Sequence, residues 1–388
     1  MTPPLAGVLV ADFSRVLAGP LATMTLADLG ATVVKVERPG TGDETRAWGP
    51  PWTPRGVAAY YESLNRSKYS LALDLADTAD RRRATELARR ADVLVENHKP
   101  GSLARFGLDY DSVAATNPGV VYCSITGFGD GAGRDRPGYD FLVQAVGGLM
   151  SVTGDADGEP HKVGAPLVDV LTGKDAVIGI LAALTARQRD GHGQHVRVEL
   201  LTSLLGGLVN QAAGYLATGQ SPGRLGNVHP SVVPYQTLHC ADVPIAVACG
   251  NDGQFARLAA VIGRPELATD ARFATNTDRV AHQAELEALL EAELAAAPAA
   301  EWEARLSAAG VPAGLVASVG EAVERAQSCG LDPLLDLGAG QVPQIRHAVR
   351  YSGSPPAAPA PPPAVGEHDE LVGRWLDGPD GAVLPPLS

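Results

Sequence analysis

The sequence predicts an α/β protein with a parallel sheet, and three observations carry that prediction. Short apolar runs rich in Val, Ile and Thr recur through the first 130 residues. Each is followed by a stretch with helical patterning or a turn. The runs are apolar at successive positions, as in GVLVAD and ATVVKVE. Strands covered on both faces require that pattern, and strands alternating with helices imply a parallel sheet. Such sheets bind ligands at the carboxyl ends of their strands.

Gly7–Asp12 reads as the first strand. Ala18–Leu29 follows as a helix, with Pro20 in its first turn and Gly30 as its stop. Ala31–Glu37 is the second strand and Ser70–Leu75 the third. Asp77–Arg90 is a charged, exposed helix. Val93–Glu96 and Val120–Thr126 are further short strands. Three helical stretches come next, Tyr139–Met150, Leu167–Arg189 and Leu200–Thr218, with a strand at Gln194–Glu199 between the last two. Ser221–Pro234 carries Pro222, Gly223, Gly226, Pro230 and Pro234 and reads as a linker. Residues 235–325 then form an α+β unit. It has strands at Pro244–Ala248 and Pro312–Ser318 and helices near Gln254–Ile262, Thr277–Ala297 and Ala300–Ala309. Residues 326–388 form a return segment, with strand character at Val342–Val349 and an extended Pro/Ala run at Pro355–Pro363.

Composition narrows the function classes. The 388 residues suit two or three domains, and 45% hydrophobic content supports a sizeable core. A net charge of −13 argues against a nucleic-acid binder and against a polybasic membrane anchor. Cys123, Cys240, Cys249 and Cys329 are scattered, which favours a reducing cytoplasm over a disulfide scaffold. The opening MTPPLAGVLVADFSRV lacks the pattern of a secretory signal, and no apolar run reaches the ~20 residues of a membrane span. The 44 Gly and 30 Pro, with abundant Ala and Arg, match the bias of a GC-rich bacterial genome.

Common nucleotide motifs fail on inspection. Gly127, Gly129 and Ala132 form a GxGxxA after a strand, but GAGRDRPG cannot open the helix a dinucleotide needs. Thr172-Gly173-Lys174 is followed by Asp175 and lacks the rest of a P-loop. There is no GxSxG. His192 and His195 have no third partner near, so no metal site is expected. Lys35, Arg38, Arg46, Arg66, Lys68, Lys99 and Arg105 fall in or near predicted strand ends, where a phosphorylated ligand would sit; scattered surface charge is the alternative. Asp169 stands among Leu167, Val168, Val170 and Leu171. Carboxylates in apolar surroundings are usually capped, paired or functional. Capping a helix N-terminus and a functional role both remain open for it.

The stretch Asp12–Arg46, DFSRVLAGPLATMTLADLGATVVKVERPGTGDETR, resembles the signature of the class III coenzyme A transferases. That superfamily includes formyl-CoA transferase, carnitine-CoA transferase and α-methylacyl-CoA racemase. The likeness continues through SLNRSKYSLALDL, ADVLVENHKPGSLARFGL, RPGYDFLVQAVGGLMSVTG and GAPLVDVLTGKDAVIGILAAL to the C-terminal GEHDE. It implies a Rossmann-like large domain made from both ends of the chain (1–220 and 326–388), a smaller inserted α+β domain, and an interlocked homodimer. It implies a cytoplasmic enzyme with acyl-CoA and a small carboxylic acid as substrates, no tightly bound cofactor and no ATP.

The resemblance also implies roles. The nucleophilic aspartate falls on Asp169. Contacts to the phosphates and adenine of CoA fall on Arg38, on Leu73 and Asp74, on Asn97, His98 and Lys99, and on Arg105. Val16, Leu17 and Ala18 would line the pantetheine path, and Tyr139 and Asp140 would stand beside the acyl group. The racemase branch needs a histidine where Tyr139 stands. A phenol with a pKa near 10 is a poor base at neutral pH, so transfer is favoured over racemisation. Leu17 replaces the glutamine of the formyl and oxalate enzymes, and Cys249–Gly253 is shorter than their glycine loop, which disfavours oxalate. A non-catalytic CoA-binding protein is the alternative from another class, but it would not need Asp169. The expectation is that helix N–H groups and the helix dipole keep Asp169 ionised.

Overall fold

Six parallel strands organise the N-terminal half: β1 (Leu9–Asp12), β2 (Thr32–Glu37), β3 (Lys68–Ala72), β4 (Val93–Glu96), β5 (Val121–Thr126) and β6 (Gln194–Glu199). Their order is β3-β2-β1-β4-β5-β6. Connections leave the sheet in opposite directions on either side of β1 and β4, so the crevice for a ligand lies at the carboxyl ends of those two strands. Alternate residues feed two cores. Val10, Val33, Val93 and Val121 point into one, Ala11, Val34, Leu94 and Tyr122 into the other. Most of these side chains are fully buried. Each buried Val or Leu contributes about 1.5–3 kcal/mol before chain entropy is charged.

The computed structural model describes residues 2–379, 381–385 and 387. The chain falls into two units. The larger takes residues up to Leu149, Lys162–Gln220 and the chain from Asp332 onward; the smaller takes Met150–His161 and Ser221–Leu331. The smaller unit has its own antiparallel sheet, β7 (Tyr235–His239), β8 (Pro244–Ala248) and β9 (Ala313–Leu315), with β8 in the centre. Helices Asp252–Val261, Gln283–Leu294 and Ala299–Ala308 supply Phe255, Leu286, Leu290, Trp302 and Leu306 to its core. Arg279 is wholly buried there, donating to the carbonyls of Val233 and Phe273 and pairing with Asp252 at 2.7 Å.

Several elements depart from periodicity. Leu200–Thr218 is two helices, Leu200–Gly207 and Val209–Thr218, broken where Val209 takes φ 39°. Thr277–Ala297 likewise splits at His282, between Asn276–Ala281 and Gln283–Leu294. The tail strand shrinks to Gln344–Ile345. The Pro/Ala run is held by polar contacts with the large unit: Ser67 and Ala360 exchange hydrogen bonds of 2.9 and 3.0 Å, and Arg55 and Arg46 donate to the carbonyls of Pro362 and Pro363. Among the described residues no helix is long and apolar enough to cross a membrane.

The helix Leu167–Asp190 is packed against the helix Ala18–Asp28, and Gly173 makes the close approach possible. A Cβ at Gly173 would stand 2.8 Å from the carbonyl oxygen of Ala18. We expect Gly173→Ala to force the two helices apart and cost about 1–3 kcal/mol, the usual penalty of overpacking. Chemical unfolding should show this as a lower midpoint; an unchanged midpoint would mean that the contact yields freely.

Candidate active site

A cavity of about 310 Å³ opens at the predicted crevice. Its wall comes from the loop after β1 (Arg15 to Ala18), the loop after β4 (Asn97 to Pro100), and the chain after β5 from Gly127 to Tyr139. Asp169 projects into it from the helix Leu167–Asp190. Gly127 and Gly138 let the ends of the β5 loop touch: a Cβ on Gly127 would meet the Cα of Gly138 at 2.5 Å. The loop between them carries Arg134 and Arg136 to the cavity, and its Asp135 makes an exposed ion pair with Lys99 at 2.9 Å.

Asp169 is 9% exposed. Its carboxylate has no hydrogen-bond or ion-pair partner among the described residues; only its backbone N–H is engaged. Burial, reinforced by the charge of Asp140, pushes its pKa up to about 7. This corrects the expectation that helix N–H groups keep Asp169 ionised. Asp140 takes those groups instead. One oxygen of Asp140 accepts from the N–H of Val168 at 2.8 Å and of Asp169 at 3.2 Å, and the other accepts from Gln144 at 2.6 Å. A distant carboxylate thus caps the helix, and the helical carboxylate is left bare.

The loop after β1 is tethered at almost every peptide. Ser14 N–H and Oγ–H donate to Asp12, at 3.0 and 2.5 Å. Lys35 Nζ donates to the Ser14 carbonyl at 2.8 Å. Asn97 accepts from Arg15 N–H and donates to Arg15 C=O, at 2.9 and 2.6 Å. His98 Nε2 lies 3.0 Å from the Phe13 carbonyl. Burial holds the His98 pKa below the ordinary imidazole value. The neutral imidazole can donate from Nε2 to that carbonyl. Past this loop, Leu17 caps the helix Ala18–Asp28 without any side-chain bond to the helix N–H groups.

The structure therefore brings Val16, Leu17, Ala18, Asn97, His98, Lys99, Tyr139 and Asp169 around one cavity, with Asp140 directly behind. Arg38, Asp74 and Arg105 are exposed and lie outside its lining, and the Leu73 side chain is buried in the core at 4% exposure. The basic strand-end residues divide. Lys35, Arg66 and Lys68 are buried and Arg46 is partly buried, and they pair with Asp43, Asp28, Asp12 and Glu37 respectively. They are corrected from ligand candidates to internal ion pairs, because carboxylates of β1, of the helix Ala18–Asp28, and of β2 with the loop that follows it already neutralise them. Sequence reasoning missed Arg15, Arg134 and Arg136, which line the cavity. The last two lay in the glycine-rich stretch set aside as a failed dinucleotide motif. It also missed Tyr60, whose hydroxyl pKa is raised by burial and by the nearby charges of Asp169 and Asp140.

The family model for CoA-transferase family III matches residues 5–369. The chain belongs to CoA-transferase family III. A relative described as succinate–glutarate CoA-transferase, from Agrobacterium fabrum, is 42% identical over 99% of this chain and 98% of its own. Another, acetyl-CoA:oxalate CoA-transferase from Acetobacter aceti, is 41% identical over 90% of each. The crystal structure of a CAIB/BAIF family protein from Brucella suis superposes with a TM-score of 0.87 at 43% identity, covering 97% of this chain and all of that one.

The raised pKa of Asp169 has a consequence for this family III member that needs no substrate. Its folded-state pKa lies above the unfolded value of 3.8. The native state thus holds the proton more tightly, so the stabilisation is complete below about pH 4 and is lost as pH rises through about 7. Asp169→Asn, which stays neutral, should match wild type near pH 4 and exceed it at pH 8 by about 2–4 kcal/mol. Urea titrations at the two pH values check this; equal differences at both would show that Asp169 is not held out of water.

Proposed function

We propose that this enzyme moves CoA from a donor acyl-CoA to an acceptor dicarboxylic acid through an acyl anhydride on Asp169. The observation that carries the proposal is a buried carboxylate without a partner, facing a cavity at the sheet's ligand crevice. A nucleophile needs a free lone pair, and a largely buried carboxylate with few hydrogen bonds is a stronger nucleophile than a fully solvated one. The printed activities of the relatives, on glutarate, oxalate and succinyl-CoA, support the dicarboxylate class.

In the first step an Asp169 oxygen attacks the thioester carbonyl. The C–S bond breaks, CoA leaves as thiolate, and a mixed anhydride joins Asp169 to the acyl group. The acceptor carboxylate displaces the donor acid at the Asp169 carbon, giving a new anhydride. Thiolate attack on the acceptor's carbonyl then releases acyl-CoA and regenerates the carboxylate. The donor thioester supplies the activation, so neither metal nor ATP enters the scheme. The uncapped helix start at Leu17 and Ala18 offers N–H donors for the developing oxyanion. Tyr139 and Asp140 border the acyl group, Asp140 acting behind Asp169 rather than on substrate. Arg38 and Arg105 serve the phosphates of CoA, and Leu73 and Asp74 its adenosine end, Leu73 through its backbone. Asn97, His98 and Lys99 border the same path.

An acyl adduct distinguishes this from racemisation of a 2-methylacyl-CoA. Enzyme incubated with succinyl-CoA and quenched with hydroxylamine should yield a hydroxamate on the peptide holding Asp169. Asp169→Ala should lose transfer by 10³-fold or more, of the order removed with a nucleophile, while CoA affinity stays close to wild type. Solvent deuterium at the α-carbon with no adduct would establish the racemase chemistry instead.

The protein is further proposed to act as an interlocked homodimer. Helix Val209–Thr218 has no buried residue, yet Val209 is 69% and Leu216 80% exposed, and Ile178 on the long helix is 65% exposed. Exposed apolar side chains of this kind favour an interface. Sedimentation should find a dimer down to nanomolar concentration; folded, active monomer there would refute the interlocked arrangement.

A further inference from the structure

Val16 sits at φ 69°. That left-handed region is costly for a β-branched residue, by about 1–3 kcal/mol, and persists only where surroundings impose it. The surroundings here can be named. Asp43 accepts the Val16 N–H at 3.2 Å through Oδ2 and at 3.4 Å through Oδ1. Lys35 lies 3.0 Å from Asp43 and donates to the carbonyl of Ser14. One ion pair thus grips both sides of the Ser14-Arg15-Val16 turn. Its side chains are 1% and 0% exposed. Asp43 is fixed in turn by Thr45, whose N–H and hydroxyl donate to Oδ1.

We propose that the buried Lys35–Asp43 pair is a positioning device: it imposes the left-handed conformation on Val16 and thereby sets where Leu17 and Ala18 stand against Asp169. The two sides are mechanically close. Gly173 lies one helical turn after Asp169, and the Ala18 carbonyl packs against it so tightly that a Cβ would be excluded. A change in the direction of the chain at Val16 is therefore passed directly to the helix that carries Asp169. Stability alone is a weak reason to keep such a pair, since buried ion pairs are often matched or exceeded by apolar residues of similar size. The inference rests on Asp169 being the reacting group.

A mutant cycle separates position from stability. Lys35→Met with Asp43→Leu removes both charges together and leaves no unpaired ion. This double variant should stay folded by circular dichroism, with kcat lowered roughly 10- to 100-fold and KM for acyl-CoA within about threefold of wild type. Adding Val16→Gly, which adopts positive φ without strain, should recover about fivefold or more of that kcat. A folded double variant with wild-type kcat, or a loss that Val16→Gly leaves untouched, overturns the proposal. If the double variant does not fold, Asp43→Asn with and without Val16→Gly completes the same cycle, and independent effects on kcat overturn the proposal. Hydroxamate trapping at Asp169 in wild type is run alongside. Its absence would count against the anhydride, whereas trapping together with a flat cycle would count against the positioning role only.

Discussion

A largely buried carboxylate left without a partner among the described residues is the constraint around which this site is arranged. Asp169 meets it because another residue, Asp140, takes the N–H groups that a helical aspartate near the N-terminus would ordinarily attract. The two acids also repel, which raises the proton affinity of Asp169 further. Under the proposed anhydride mechanism, function and stability pull in opposite directions at this point, because a desolvated carboxylate costs stability. The penalty is carried by the packed sheet and by the helix pair joined at Gly173.

A second set of charges lies beneath the crevice and has the opposite character. Asp12, Lys35, Lys68 and Asp43 are buried like Asp169, but each is paired. Asp12 also accepts from Thr23 at 2.6 Å and from Ser14, and Lys68 donates to Asn65 and to the carbonyl of Pro20. Every one of these contacts ends on the loop after β1, on the helix that follows it, or on a residue that holds them. The charged interior is thus a frame for a short piece of backbone. Such a frame accords with the positioning role proposed for the Lys35–Asp43 pair.

Much of the larger unit was legible from patterns in the chain. Apolar runs such as TVVKVE and VLVE could hide both faces only in a covered sheet, and the helical stretches between them made that sheet parallel. The resemblance then pointed to Asp169 and to the loop at Val16–Ala18. Less legible were the breaks at Val209 and His282, where helical periodicity continues across a turn that only local backbone geometry reveals. Arg134 and Arg136 were equally hidden. They matter because two glycines let a loop close on itself, and no spacing rule records which side of such a loop faces a cavity.

Side-chain character and the order in which the strands appear are properties of local sequence, because hydrophobic period and residue type act over a few neighbours. Which charge meets which is not. Lys35 and Lys68 look the same in the chain as Arg38 and Arg105, yet two are interior ion pairs and two are exposed. The difference depends on the register that sets Asp12 beside Lys35 and on where the chain after β2 returns. The state of Asp169 was decided in the same way. Its burial and the theft of its helix N–H groups by Asp140, 29 residues earlier, are long-range facts, and electrostatics at a desolvated site depends on such distances more than on composition.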